Sequence, residues 1–342
     1  MIPHNQIVFA NADKQLLHDV VQSGFFTQGK YVADFEAKAA NFYQRKCATA
    51  VSSGSMAIRL ALILAGVKTG SNVIVPAYSC SAVCNSVLSL GANVIPCDIA
   101  EGEANIDVYQ AIQLAEQHRA NVVIVVNTFG IPADIAMLKH AGLTVVEDCS
   151  HGFAITADSL PQTYGDFVIQ SLYATKLLGA AELGVVLFDD EALLGSAKRL
   201  REGYSQTPSG ECINMKANEF SGALGVAKLV EATSIIAQRQ ARANIYLGNK
   251  FLSRHVVGNV NHRVWYRFVI AVEQADKLID SVASRVQILR PISPWLNDLN
   301  KFPHASTAYR RYLSLPIYPS LEEEDQTAVM SVLDKYLQDT AL

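Results

Sequence analysis

The chain has 342 residues, a formal net charge of −4, 50% hydrophobic residues and 18% charged residues. This length accommodates a large domain and a smaller one, and the composition is that of an ordinary globular protein. The acidic balance argues against nucleic acid as a partner, because a nucleic-acid-binding surface needs a basic excess. No apolar run reaches the roughly 18 residues of a membrane-spanning helix, so no membrane partner is expected.

The cysteines and the N-terminal residues favour a cytoplasmic protein. The six cysteines form no CxxC pair and no cysteine–histidine spacing typical of zinc, so neither a disulfide framework nor a metal site is expected. The first residues, MIPHNQIVFANADKQ, lack the basic and then apolar pattern of a secretory signal. A reducing, cytoplasmic setting is therefore expected.

Two helices are predicted near the start of the chain. FFTQGKYVADFEAKAANFYQRK has apolar residues at helical spacing, among them Val32 and Phe35, and predicts an amphipathic helix. In ATAVSSGSMAIRLALILAG, small residues that include Gly54 and Ser55 precede a strongly apolar helix. The free amides and dipole of such a helix start suit an anion such as phosphate. The alternative is a serine-capped buried helix without a ligand.

From Ser71 onward, short apolar runs alternate with helical stretches, and turn signals such as GVKTGSN separate them. Six runs rich in valine and isoleucine predict strands. These strands are Val73–Val75, Asn93–Pro96, Val122–Val126, Leu143–Glu147, Phe167–Gln170 and Gly184–Phe188. The alternation favours a mainly parallel α/β sheet covered on both faces. Ligands of such sheets bind beyond the carboxyl ends of the strands.

The chain changes character after the predicted sheet. One long helix is predicted from about Glu219 to Leu252. RVWYRFVIAV then predicts a strand, RPISPWLNDLNKFP a proline-containing loop, and the last residues a helix. We therefore expect a large α/β domain at residues 1–235 and a small C-terminal α+β domain at residues 236–342.

An acidic residue and a lysine after two predicted strands suggest a cofactor. Asp148 lies in VVEDCSHGF, and Lys176 lies in QSLYATKLLGA. A carboxylate can pair with the ring nitrogen of pyridoxal phosphate, and a lysine can hold its aldehyde covalently. Judged from this pair alone, the alternative is that Lys176 is an exposed surface lysine with no cofactor.

Eight stretches in chain order strengthen this interpretation. They are GKYVADFEAKAANF, SSGSMAIRLAL, VIVPAYSCSAVCNSVLSLGANVIPCDI, VNTFGIPADI, VVEDCSHGF, SLYATKLLGAAELG, NMKANEFSGALG and SLPIYPSL. Together they resemble the motifs of the DegT/DnrJ/EryC1/StrS family of pyridoxal-phosphate-dependent sugar aminotransferases. The resemblance runs from about Gly24 to the C-terminal helix. It implies the fold-type I architecture, with a large domain around a mainly parallel seven-stranded sheet and a small C-terminal α+β domain.

The resemblance assigns roles around the cofactor ring. Lys176 would hold pyridoxal 5'-phosphate and act as general base and acid, and Asp148 would pair with the pyridine nitrogen. His151 would contact the ring or its 3′-oxygen. The alternative for His151 is a histidine satisfied by the backbone.

The resemblance also assigns the phosphate-binding residues. The hydroxyl of Ser171 and the backbone amides of Gly54 and Ser55 would bind the phosphate. Asn214 would reach it from the partner subunit, which implies a homodimer with a shared active site. The alternatives are a strand-end hydroxyl for Ser171 and a solvated loop asparagine for Asn214.

Some positions depart from the family pattern. Cys80 stands where the family usually has an aromatic stacked on the cofactor ring, and Tyr78 is a nearby candidate for that contact. Asn127 replaces the histidine of HLYG, Glu202 stands where a histidine is common, and Lys216 replaces an arginine. These changes are expected to concern the substrate pocket more than the cofactor pocket.

The implied function is transfer of an amino group from an amino acid, glutamate or glutamine, to a keto-sugar linked to a nucleotide. Lys176 favours this reaction over the dehydratase branch of the family, which has histidine at that position. Two alternatives stay open: a pyridoxal-phosphate lyase, dehydratase or amino-acid-directed enzyme of the same fold, and a non-catalytic regulatory homologue.

Overall fold

The computed structural model describes residues 1–156, 160–203 and 212–340. Its strands form one seven-stranded sheet and two small two-stranded sheets. In chain order the strands are β1 (Cys47–Val51), β2 (Asn72–Pro76), β3 (Asn93–Cys97), β4 (Val122–Val126), β5 (Thr144–Asp148), β6 (Ala154–Ile155), β7 (Pro161–Gln162), β8 (Phe167–Ser171), β9 (Gly184–Phe188), β10 (Phe268–Ala271) and β11 (Tyr312–Leu315).

The large sheet has the strand order β1-β9-β8-β5-β4-β2-β3. Strand β9 runs antiparallel to both of its neighbours, and the pairings among β8, β5, β4, β2 and β3 are parallel. All six predicted strands are confirmed, as is the mainly parallel α/β sheet. Strand β1 was not predicted, because its sequence CATAV carries small residues instead of the valine and isoleucine that mark the other strands.

Helices cover both faces of the large sheet. In chain order the helices are α1 (Asn11–Ser23), α2 (Lys30–Phe42), α3 (Gly54–Leu64), α4 (Ser81–Leu88), α5 (Val108–His118), α6 (Ala136–His140), α7 (Leu194–Glu202), α8 (Glu219–Val230), α9 (Ala232–Leu247), α10 (Lys250–His255), α11 (Ala275–Val282), α12 (Pro303–Arg311) and α13 (Glu323–Thr340). Alternate strand residues pack on opposite sides, so Val73 and Val75 contact the α3 and α4 layer while Ile74 contacts α5 and α6.

The single long helix predicted from Glu219 is wrong. Helix α8 ends at Val230, α9 begins at Ala232, and the two axes differ by 61°. Nearly every residue of α8 is buried, and Gly222 lies against the backbone of Val32 in α2. Among the described residues, no single helix has the length and apolarity to cross a membrane, and α8 with α9 meets that test only as a bent pair.

The C-terminal part contains its own core around β10, β11, α9, α11 and α13. It docks on the large sheet where Val264 passes the loop after β4. A Cβ built on Gly130 would lie 1.7 Å from the Val264 carbonyl oxygen, and Gly130 has a φ of +83°, so only glycine fits there. This docking brings the segment that contains Tyr266 to the carboxyl edge of the sheet. The division between residues 235 and 236 stays a prediction.

Candidate active site

One cavity of about 360 Å³ opens at the carboxyl edge of the large sheet, between β2, β4, β5 and β8. Seven of the eight predicted site residues line it. They are Gly54, Ser55, Cys80, Asp148, His151, Ser171 and Lys176. They come from four separate stretches of the chain, and the fold brings them together because parallel strands end at the same edge.

Asp148 is the last residue of β5, and its side chain is buried. Its Oδ1 accepts a hydrogen bond of 2.9 Å from the amide of Ser150. The Ser150 hydroxyl in turn accepts from the amide of Ser171, at 3.1 Å. Within the described ranges Asp148 forms no ion pair, although a buried carboxylate is costly without a positive partner. A protonated pyridine nitrogen would supply that partner.

A second carboxylate, that of Glu147, binds the loop that precedes β8. Glu147 is buried and accepts hydrogen bonds from the amides of Tyr164 and Gly165, at 2.7 and 2.8 Å. It also accepts from Asn127 Nδ2, at 2.9 Å. Asn127, which replaces a family histidine, therefore supports the strand end that carries Asp148. Asn127 is not among the described residues that line the cavity.

The phosphate-binding end is formed by the start of α3 and by β8. Ser53 caps the helix and its hydroxyl accepts from the amide of Met56, at 3.3 Å. A Cβ built on Gly54 would lie 2.6 Å from Ser171 Cβ and 2.8 Å from its Oγ. The helix start and the Ser171 hydroxyl are therefore in contact, which combines a hydroxyl, free amides and a positive dipole end. The serine cap is confirmed, and phosphate binding at this helix start stays a prediction.

His151 is a buried neutral imidazole. Its ring lies between those of Phe129 and Tyr266, with centroid separations of 6.2 and 4.7 Å. Burial lowers its pKa well below the ordinary value, and the charges of Lys176 and Arg267 lower it further. Nδ1 accepts from the amide of Phe129 at 3.4 Å, which assigns the ring proton to Nε2. His151 can therefore accept from the backbone through Nδ1 and still donate through Nε2 to the 3′-oxygen of a cofactor ring.

Lys176 lies in the loop after β8 and is half-buried. Its Nζ is 5.4 Å from the ring centroid of Tyr266. Burial raises the pKa of the Tyr266 phenol, but the charges of Lys176, Arg267 and Arg239 outweigh it, so the pKa is lowered from its usual value. Sequence reasoning missed Tyr266, because the strand pattern of RVWYRFVIAV does not indicate which part of the fold it faces.

Cys80 is the residue that the resemblance assigns to the ring-stacking position, and that role stays a prediction. It is exposed, immediately precedes α4 and lines the cavity. Tyr78 does not take the place of the missing aromatic. It is buried away from the cavity among Phe129, Tyr309 and Tyr312, with ring centroids 4.7 to 6.1 Å from its own.

Asn214 is the predicted site residue that lies outside the cavity. Its side chain is exposed, and its Oδ1 accepts from the amide of Lys216 at 3.2 Å. Lys216 Nζ donates to the carbonyl of Glu202, also at 3.2 Å. A role for Asn214 toward a second subunit stays a prediction, beside the solvated loop asparagine.

The residues fit pyridoxal phosphate. The cavity holds the amino-terminal end of helix α3 at one side, a buried carboxylate at another and a lysine amine. Ten further lining residues were not predicted as site residues, among them Ser79, Ser150, Tyr173, Glu182 and Ile292. The first four lie inside stretches that carry the family resemblance, which was the available signal. Ile292 comes from the proline-containing C-terminal loop and had none.

Comparisons with known proteins find relatives along nearly the whole chain. The model of the DegT/DnrJ/EryC1/StrS aminotransferase family matches residues 9–334. The chain is 24% identical to GDP-perosamine synthase of Vibrio cholerae, over 98% of this chain and 99% of the relative. It is 27% identical to the spore coat polysaccharide biosynthesis protein SpsC of Bacillus subtilis (strain 168), over 97% and 96%. The crystal structure of S. venezuelae DesV in complex with a ketimine intermediate superposes with a TM-score of 0.86 at 25% identity, over 95% and 94%.

Proposed function

Because the chain belongs to the DegT/DnrJ/EryC1/StrS aminotransferase family, we propose that it transfers an amino group from glutamate or glutamine to a keto-sugar linked to a nucleotide. Membership makes it a sugar aminotransferase of fold-type I with pyridoxal phosphate as its cofactor. The amino donor, the nucleotide link and the individual residue roles go beyond that membership.

The cavity that brings Lys176, Asp148 and Ser171 together is the observation that supports these roles most strongly. Retention of a lysine at position 176 favours transamination over dehydration. The similarity to a synthase of GDP-perosamine, a nucleotide-linked amino sugar by its name, supports a nucleotide-linked acceptor.

The positions of the side chains support the following proposed roles. Bound pyridoxal phosphate supplies an electron sink for the carbanion at the amino acid's α-carbon. Asp148 would place a negative charge at the pyridine nitrogen and keep a proton on it. Lys176 Nζ would hold the cofactor and, once freed by the substrate amine, would take the proton from the α-carbon and deliver it to the cofactor carbon C4′.

Other side chains orient and bind. The start of α3 and the Ser171 hydroxyl bind the phosphate, with Gly54 allowing their close approach. His151 is neutral and would donate through Nε2 to the 3′-oxygen of the cofactor ring. Cys80 offers a small side chain where a stacked aromatic would stand, which leaves more space above the ring.

The Lys176→Ala variant tests the cofactor assignment. Incubation of the wild-type protein with pyridoxal phosphate is expected to produce a near-visible absorption band, and the variant is expected to lack it. Lys198→Ala is the matched control, because Lys198 is exposed on α7. A band that persists in Lys176→Ala contradicts the assignment.

Half-reactions test the reaction class. Glutamate is expected to convert the loaded enzyme to its pyridoxamine form without release of ammonia, and nucleotide-linked keto-sugars are expected to convert it back. Ammonia release without amino transfer indicates a lyase or dehydratase. Cofactor binding without turnover on any donor indicates a regulatory homologue.

A cytoplasmic homodimer with a shared site belongs to the same proposal, supported by free thiols at buried cysteines and by the exposed Asn214. Mixing Lys176→Ala with Asn214→Ala subunits tests the shared site. If Asn214 serves the partner, hybrid dimers contain one intact site, and random mixing restores roughly a quarter of wild-type activity. Absence of any recovery in verified hybrids contradicts a shared site.

A further inference from the structure

A second cavity of about 360 Å³ adjoins the cofactor cavity and contains a guanidinium with neutral partners. Arg267 Nη1 donates to His4 Nε2 at 3.2 Å and to the Ser314 hydroxyl at 3.3 Å. Its Nη2 donates to the Tyr266 hydroxyl at 3.5 Å, and its buried Nε has no hydrogen-bond partner. Across the described ranges Arg267 forms no ion pair, and no aspartate or glutamate lines this cavity.

A second guanidinium reinforces the positive charge. Arg239 is buried and also lines the cavity. Its Nη1 donates to the carbonyl oxygens of Trp265, Tyr266 and Ile317, at 3.0 to 3.3 Å, and these partners are neutral as well. A buried and a half-buried guanidinium whose hydrogen-bond partners are all neutral are stabilised by an anion between or beside them. The cavity therefore suits an anionic group.

The second cavity is within reach of Lys176. Tyr173 lines both cavities. The Tyr266 ring centroid lies 5.4 Å from Lys176 Nζ and 5.0 Å from the Arg267 guanidinium carbon, so these two groups are at most about 10 Å apart. The amine and side-chain carboxylate of an extended glutamate are about 6 Å apart by bond geometry. A hydrogen bond of about 2.9 Å completes that span.

We propose that this second cavity binds a carboxylate of the amino donor and that Arg267 is its principal ligand. This assignment rests on the proposed transamination. The planar fork of a guanidinium matches a carboxylate, and Nη2 donates to one acceptor only, which leaves its second N–H group for a carboxylate oxygen. A guanidinium also binds phosphate, so the phosphates of a nucleotide-linked sugar are the other candidate ligand. The experiments below distinguish the two.

The Arg267→Gln variant tests the assignment in the pyridoxal-phosphate-loaded enzyme. The glutamate concentration for half-maximal conversion is expected to rise about ten- to a hundred-fold, as for loss of a charged hydrogen bond, while the limiting rate stays within about threefold. Arg267→Lys is expected to recover part of the loss. Arg254→Gln is the matched control, because Arg254 is exposed on α10.

Direct binding provides a readout other than activity. Glutarate, a dicarboxylate without an amine, is expected to bind the wild-type enzyme in calorimetry, to compete with glutamate and to bind Arg267→Gln at least ten-fold more weakly. If the enzyme converts no amino acid, the proposed function fails, whereas glutarate binding that depends on Arg267 still supports the anion site.

Three results overturn the assignment. The first is an unchanged glutamate dependence and unchanged glutarate affinity in folded Arg267→Gln, or in Arg267→Lys if the glutamine variant does not fold. The second is Arg267-dependent binding of pyrophosphate without binding of glutarate, which assigns the cavity to sugar-linked phosphates. The third is a changed oligomeric state with unchanged donor kinetics, which assigns Arg267 to a subunit contact.

Discussion

Replacing Gly54 with alanine perturbs the phosphate-binding end of the cavity at its tightest point. The new Cβ would lie 2.6 Å from Ser171 Cβ, and about 0.8 Å of movement is needed to reach 3.4 Å, the lower limit of ordinary contact. Gly54 begins α3 and Ser171 ends β8, so this movement separates the helix amides from the hydroxyl that they face.

The cost follows from the packing. Overpacking of this size costs about 1–3 kcal/mol. If the strain is relieved at the phosphate site, the dissociation constant for pyridoxal phosphate rises about 5- to 150-fold, because each 1.4 kcal/mol is tenfold. Titration of the cofactor-free variant with pyridoxal phosphate, followed by absorbance, measures this change.

Gly195→Ala is the matched control. Gly195 lies in α7, and no atom lies within 4 Å of a Cβ built there. Alanine is the better helix former, so this variant is expected to keep wild-type cofactor affinity and to gain up to about 1 kcal/mol of stability. Wild-type cofactor affinity in Gly54→Ala would refute the contact between α3 and Ser171 as the basis of phosphate binding.

Three further predictions concern stability, pH and a thiol. Glu219→Ala removes the carboxylate that accepts from three backbone amides at the start of α2, so denaturant unfolding should show a loss of about 3 kcal/mol, and a loss below about 1 would contradict that role. Burial and the nearby charges of Arg267 and Arg239 lower the pKa of His4 from 6.5 to about 3. As pH falls, the imidazole of His4 is protonated in the unfolded chain before it is protonated in the folded one. The contribution of His4 to the free energy of unfolding is therefore fully present above pH 6.5 and is lost as pH falls toward 3, at up to about 1.4 kcal/mol per pH unit. His4→Gln should flatten this slope in urea titrations, and an unchanged slope counts against it. Cys80 should react with thiol reagents several-fold more slowly when pyridoxal phosphate is bound, as peptide mass spectrometry can measure, whereas equal rates would place Cys80 away from the ring.

The fold was predictable where burial leaves a local signal. Five of the six valine- and isoleucine-rich strands are buried at nearly every position, and burial on both faces makes each an apolar run, whereas the edge strand β3 is only partly buried. Strand β1 lacks the signal, and its pairing with β9 is long-range. The break between α8 and α9 at Glu231 has no glycine or proline to signal it in the sequence. The different packing environments of the two helices set their directions instead.

The site was predictable to the same extent. Asp148 and Ser171 end strands that converge at one edge, Lys176 lies in the loop after the second of them, and their neighbours in sequence carry the family motifs. Tyr266 and Arg267 approach from the C-terminal part, and their positions depend on how Val264 docks against Gly130. No local pattern encodes that docking, so these residues could not be placed from the sequence.

Location of the cofactor attachment tests the central claim most directly. The protein is loaded with pyridoxal phosphate, reduced with borohydride to fix the cofactor to the amine that holds it, and digested for mass spectrometry. We predict a single stoichiometric modification at Lys176, which Asp148→Asn retains with weaker cofactor binding. Modification at another lysine, or none at all in folded protein, would contradict the account.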